Sequence, residues 1–168
     1  MERKAKATTI VLLVIYLFLL IWIILFKMAL FSEIADLDYI RKINLIPFYY
    51  DKETSHHLTE VLQNVAIFVP VGIYLQMLKI DKSKSIIFGG GLSLLLETLQ
   101  FIIGIGASDI TDVITNTTGT IMGIVVYGIL LFIFKKREAL DKVLRCLAIV
   151  CTSALIVFIS FILLVNNV

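Results

Sequence analysis

Five long apolar stretches leave few folds open to this chain. They run over about 8–31, 61–78, 85–107, 113–134 and 146–165. A bilayer core of about 30 Å is crossed by about 20 apolar residues in helical form, and each stretch reaches or approaches that length. A membrane β-barrel would alternate apolar and polar positions in segments of ~10 residues, whereas these runs are continuous. A helix satisfies its backbone amides internally, as a segment in lipid must. The expected fold is all-α: a polytopic transmembrane helix bundle of about five spans, forming one membrane domain over residues 1–168. Composition agrees, with 60% hydrophobic and 17% charged residues against about 45–50% and 25% in soluble domains. That balance excludes a disordered chain, a secreted disulfide scaffold and a basic nucleic-acid-binding domain.

The N-terminal stretch Met1-Glu2-Arg3-Lys4-Ala5-Lys6 is basic and leads into the first apolar run. The run to Phe26 exceeds the 7–15 residues of a signal-peptide core, and no clear A-x-A site follows. It reads as an uncleaved first span. Basic residues then orient the bundle. Arg3, Lys4 and Lys6 precede the first span, Lys79, Lys82 and Lys84 separate the second and third, and Lys135, Lys136, Arg137, Lys142 and Arg145 separate the fourth and fifth. These are eleven of the fifteen Lys and Arg. The positive-inside rule places the N-terminus inside the cell and the C-terminus outside. The loop 32–60 and the link 107–112 then face the exterior. The loop also carries the acids Glu33, Asp36, Asp38, Asp51, Glu53 and Glu60. Cys146 and Cys151 read as small buried hydrophobes. The adjacent His56-His57 has no helical metal spacing, so no metal site is assigned there.

Ionisable groups within spans are costly and face a bundle interior or a water-filled cavity. Glu97 lies about ten residues before the outer end of the third span, roughly 15 Å deep. Gln100 follows three residues on, on the same face. Asp109, Asp112 and Asn116 open the fourth span at helical spacing, and Asn64 stands near the outer start of the second. The simplest geometry gathers them into a polar pocket opening outward. In the loop, Arg41 and Asn44 precede Pro47-Phe48-Tyr49-Tyr50, and the Ile46–Pro47 step reads as an extended or turn segment. Arg41 is suited to neutralise a carboxylate or hold a phosphate. Gly119 and Gly123 have the spacing of close helix contact. Gly89, Gly90 and Gly91 read as packing residues, and Pro70 with Gly72 is expected to break or kink the second span.

Four stretches in order resemble the VanZ-like membrane proteins, a family named for a teicoplanin-resistance protein of Gram-positive bacteria. They are Arg41-x-x-Asn44-Leu45-Ile46-Pro47-Phe48; Asn64-x-x-x-Phe68-x-Pro70-x-Gly72; Glu97-x-x-Gln100-Phe101; and Asp109-x-x-Asp112-x-x-x-Asn116-x-x-Gly119. The resemblance covers about residues 8–168. Where many members carry a basic residue before the Asp-x-x-Asp segment, this chain has Gly106-Ala107-Ser108. The resemblance implies a multi-pass protein of a Gram-positive cell membrane that confers low-level resistance to teicoplanin, a lipoglycopeptide, without the precursor remodelling that protects against vancomycin.

The leading expectation is a protein that binds the drug or a lipid-linked cell-wall precursor at the outer leaflet. Its partners are membrane lipid and that ligand, with no nucleic acid and no cofactor. The candidate ligand-binding residues are Arg41, Asn44, Asn64, Glu97, Gln100, Asp109, Asp112 and Asn116. The alternative is an enzyme acting on a lipid or lipid-linked substrate, with Glu97, Asp109 and Asp112 as catalytic candidates and a divalent cation held by hard oxygen donors. The spans show no activated Ser, Cys or His constellation, so the non-enzymatic reading is preferred. A transporter or flippase ranks third, since five spans are few for that task.

Overall fold

The computed structural model describes residues 2–26, 40–49 and 57–166. Five helices make up most of it: α1 (Glu2–Phe26), α2 (His57–Met77), α3 (Lys82–Ile103), α4 (Ile110–Phe134) and α5 (Arg137–Asn166). Two short strands, β1 (Ile40–Asn44) and β2 (Ile105–Asp109), were not expected. Helices α1 to α4 are each long and apolar enough to cross a membrane, so the chain is a multi-pass membrane protein. At 1.5 Å per residue, the 25 residues of α4 extend about 37 Å. The stretch 146–165, expected as a fifth span, lies within α5 and holds no charged residue.

Several boundaries differ from expectation. Helix α1 begins at Glu2, so Arg3, Lys4 and Lys6 belong to it. The third span was expected to reach residue 107 but ends at Ile103. Gly104 adopts φ 80, and its N–H donates to the Gln100 carbonyl at 2.8 Å. Glycine takes this left-handed conformation without strain, which makes it the usual helix stop. The chain then runs extended as β2, and α4 starts at Ile110 rather than 113. The expected exterior loop and link therefore meet as a parallel ladder, pairing Ile40 with Ile105 through Asn44 with Asp109. Parallel strands need a long crossover, and the α2–α3 hairpin supplies it.

The tightest contact lies between α2 and α4. A Cβ on Gly72 would overlap the Thr120 carbonyl, one on Gly119 the Val65 carbonyl, and one on Gly123 the Val69 carbonyl. Gly89 of α3 lies similarly against the Thr120 side chain, while Gly91 meets nothing within 4 Å. Without a hydrophobic drive between helices in lipid, such backbone approach is the main source of packing. Pro70 and Gly72 do not break α2, which is continuous from His57 to Met77. Phe68 and Val71 are fully buried. The Tyr16 hydroxyl donates to the Ile67 carbonyl at 2.6 Å and fixes α1 on α2. Cys146 and Cys151 are exposed on α5, because α5 packs mainly through Leu140, Asp141, Leu144 and Ala148 nearer its start.

The helices alternate in direction. At one end, the Gln76 amide donates to Ser85 Oγ at 3.1 Å, and Arg137 Nη2 donates to the Gln76 carbonyl. The end of α2 thereby meets the starts of α3 and α5. The opposite end holds the ladder, the start of α4 and the ends of α1 and α3.

Candidate functional site

The ladder end gathers most of the polar residues singled out in the sequence. Glu97, on the last full turns of α3, is buried. Its Oε2 accepts from the Asp109 backbone N–H at 2.8 Å, and its own carbonyl accepts from Ser108 Oγ at 2.6 Å. One residue of α3 thus holds both ends of the strand-to-helix junction. Asp109 closes β2 and caps α4. Its Oδ1 accepts from Thr111 N at 2.7 Å, and its Oδ2 accepts from Asn44 Nδ2 at 2.9 Å. Aspartate is a preferred N-cap because it satisfies an orphan helix N–H and carries charge of the favourable sign.

Asn44 carries the network into the turn that follows β1. Its Oδ1 accepts from Ile46 N at 3.1 Å, and Nδ2 also reaches the Tyr49 carbonyl at 3.3 Å. The Tyr49 N–H donates to the Ile46 carbonyl at 3.2 Å, closing a β-turn over Pro47 and Phe48. Phe48 has φ 55, at the position where a type II turn calls for Gly or Asn. The Phe48 N–H donates to Thr111 Oγ1 at 3.0 Å. Leu45, Ile46, Phe48 and Tyr49 are exposed, giving an apolar rim beside the carboxylates.

A second string runs deeper. Asn64 of α2 donates to Asp112 Oδ1 at 2.7 Å, and Asn116 Nδ2 donates to Ser93 Oγ at 2.9 Å. Ser93 Oγ lies 3.5 Å from the Asp112 carbonyl. Asn116 is almost fully buried, and its Oδ1 has no hydrogen-bond partner among the described residues.

Asn44, Asn64, Glu97, Asp109, Asp112 and Asn116 therefore come together. Gln100 turns elsewhere: its Nε2 donates to the Ile24 carbonyl of α1 at 3.0 Å, so it joins helices rather than completing the acidic group. Arg41 also reaches the end of α3. Its Nη2 donates to the Ile102 carbonyl at 2.9 Å, and its guanidinium lies 6.0 Å from the Phe101 ring centroid. Among the described residues these polar groups are hydrogen-bond partners of one another. A cavity of about 560 Å³ lies at the opposite end. Among the described residues no three His, Cys, Asp or Glu side chains converge as a metal site requires. His56 and the His57 side chain lie outside the described residues, as do the acids Glu33, Asp36, Asp38, Asp51 and Glu53.

Three connecting residues were missed: Ser93, Ser108 and Thr111. Ser93 had a legible signal, since Ser93, Glu97 and Gln100 recur at helical spacing along one buried face. Thr111 follows Asp109 at the distance that an N-cap serves.

These features define a polytopic helical membrane protein with a hydrogen-bonded acidic cluster and a strand ladder at one end. The sequence pattern of the VanZ/LLP1 family matches residues 13–134, and the chain belongs to that family. It is 37% identical over 150 residues to Protein VanZ of Enterococcus faecium, covering 88% of this chain and 89% of that protein. No solved structure matches.

Proposed function

We propose that this chain confers resistance to teicoplanin from the outer face of the membrane, using the ladder end to bind the lipoglycopeptide or the lipid-linked precursor that the drug targets. Family membership supports the resistance phenotype. The binding reading is carried by one observation: carboxylates and amides from β1, α2, α3, β2 and α4, buried at Glu97 and Asn116 and half-buried at Asn44, Asn64, Asp109 and Asp112, meet beside an exposed apolar turn. A lipoglycopeptide and a lipid-linked precursor are both amphiphiles with hydrogen-bonding heads, and this surface offers both chemistries. The ladder end faces outward because the basic residues cluster at the other end.

The cluster's connectivity favours binding over catalysis. Glu97 and Asp109 oxygens already accept from Asp109 N, Thr111 N and Asn44 Nδ2, so the carboxylates fix the backbone beneath the turn. The test is teicoplanin and vancomycin susceptibility in a sensitive Gram-positive host. It would express wild type, Glu97→Gln or Asp109→Asn/Asp112→Asn at matched membrane levels. Glutamine at 97 retains an oxygen for the Asp109 N–H, so that variant removes charge more than structure. Wild type should raise the teicoplanin threshold and leave vancomycin unchanged, and the variants should lose most of that gain. Unchanged resistance in both variants would remove the cluster from the function, and no resistance from wild type would remove the phenotype.

A further inference from the structure

We propose that the cavity at the basic end binds the phosphate headgroup of an anionic phospholipid. The cavity is about 560 Å³ and lies between the start of α1, the end of α2 and the start of α5. That volume is within the range of ligand sites, roughly 300–1,000 Å³. Five cations line it: Lys6, Lys79, Arg137, Lys142 and Arg145. The two acids at the same walls are Glu138 and Asp141. Asp141 is already engaged, accepting from the Tyr127 hydroxyl at 2.8 Å and lying 3.9 Å from Arg137 Nε. Positive charge therefore exceeds negative charge around the cavity.

Arg137 is built into the wall. Its Nη2 donates to the Gln76 carbonyl, and its guanidinium lies 5.5 Å from the Tyr127 ring centroid. Its Nε is buried with no hydrogen-bond partner among the described residues. A guanidinium held in place is pre-organised for phosphate. The remainder of the lining includes Ala5, Met77 and Leu78, which suits the glycerol and upper acyl carbons of a lipid. Basic pockets between spans at a membrane surface have the form of headgroup sites. The shared chemistry would also admit free phosphate. The position favours lipid, because the cavity lies at the helix ends where the basic residues that mark a membrane surface are concentrated.

The test uses the full-length protein purified in neutral detergent and titrated with short-chain phosphatidylglycerol, phosphatidylcholine or inorganic phosphate. Native mass spectrometry counts bound lipid, and thermal unfolding gives affinity. One phosphatidylglycerol should bind per chain, at least about tenfold more tightly than phosphatidylcholine, with inorganic phosphate ineffective. A surface cation contributes about a factor of five toward anionic lipid, so Lys142→Gln/Arg145→Gln should weaken phosphatidylglycerol about twenty-five-fold. Lys142→Arg/Arg145→Lys should preserve it, which separates charge from folding. Lys82→Gln/Lys84→Gln, on the same membrane face but outside the cavity, should change binding less than about twofold. Equal retention of phosphatidylcholine, an unaffected Lys142/Arg145 variant, or an equal loss in the Lys82/Lys84 variant would overturn the site. Equal stabilisation by inorganic phosphate would overturn the lipid as its occupant.

Discussion

Asp109 serves two neighbours through its side chain: it caps α4 through Thr111 and anchors β1 through Asn44. An N-cap is worth about 1 kcal/mol, and an interhelical hydrogen bond in a membrane averages about 0.6 kcal/mol. Asp109→Ala should therefore lower stability by roughly 1–2 kcal/mol, whereas Asp109→Asn keeps one oxygen for the Thr111 N–H, loses the acceptor for Asn44 Nδ2 and should cost less. Thermal unfolding of the purified variants checks the order. Phe48 poses the opposite case. A side chain at φ 55 costs about 1–2 kcal/mol relative to glycine. Phe48→Gly should therefore unfold at a higher temperature than Phe48→Ala, by about 1 kcal/mol of stability. A higher melting point for the alanine variant would show that the turn is not strained. Glu97, Asp109 and Asp112 were legible because a carboxylate in or beside an apolar run is expensive and must be accounted for. The left-handed Phe48 was not, since it depends on where the Tyr49 and Phe48 N–H groups find acceptors.

The helices were readable from the lengths of the apolar runs, and the two strands were not. Ile40-Arg41-Lys42-Ile43-Asn44 has no clean alternation, and Ile105-Gly106-Ala107-Ser108-Asp109 is mostly small residues. The strands exist because Gly104 stops α3 and Asp109 starts α4, leaving five residues that reach a partner supplied by the exterior loop. The α2–α4 contact was half legible: the Gly119/Gly123 spacing announced it, but Gly72 looked like a companion of Pro70 rather than the facing surface. Because a Cβ at these sites would meet backbone, Gly119→Leu and Gly123→Leu should each cost about 1–3 kcal/mol or more. Gly91→Ala, with open space around it, should gain about 0.5–1 kcal/mol from helix propensity. Resistance of the purified proteins to thermal unfolding measures both. Similar losses at Gly91 and Gly119 would discount backbone approach as the cause.

Most of the chain's basic residues lie at one end, which makes orientation testable without knowing the ligand. In a background with Cys146 and Cys151 replaced by serine, an impermeant maleimide should label Ile46→Cys on intact cells. It should label Lys82→Cys only after the membrane is opened. The reverse pattern would invert the bundle and place the acidic cluster inside. The expected orientation rests on Lys and Arg positions alone. The cavity between α1, α2 and α5 was not legible in the sequence, since it arises from how three helices diverge. The ladder has its own consequence during synthesis. Its paired strands are 65 positions apart, and two membrane crossings separate them. Residues 40–44 emerge long before their partner exists. If either crossing is skipped, residues 105–109 end on the wrong side of the bilayer and the pair cannot form. Closure of the ladder thus requires both crossings: it is a latch that engages only in chains that have turned twice.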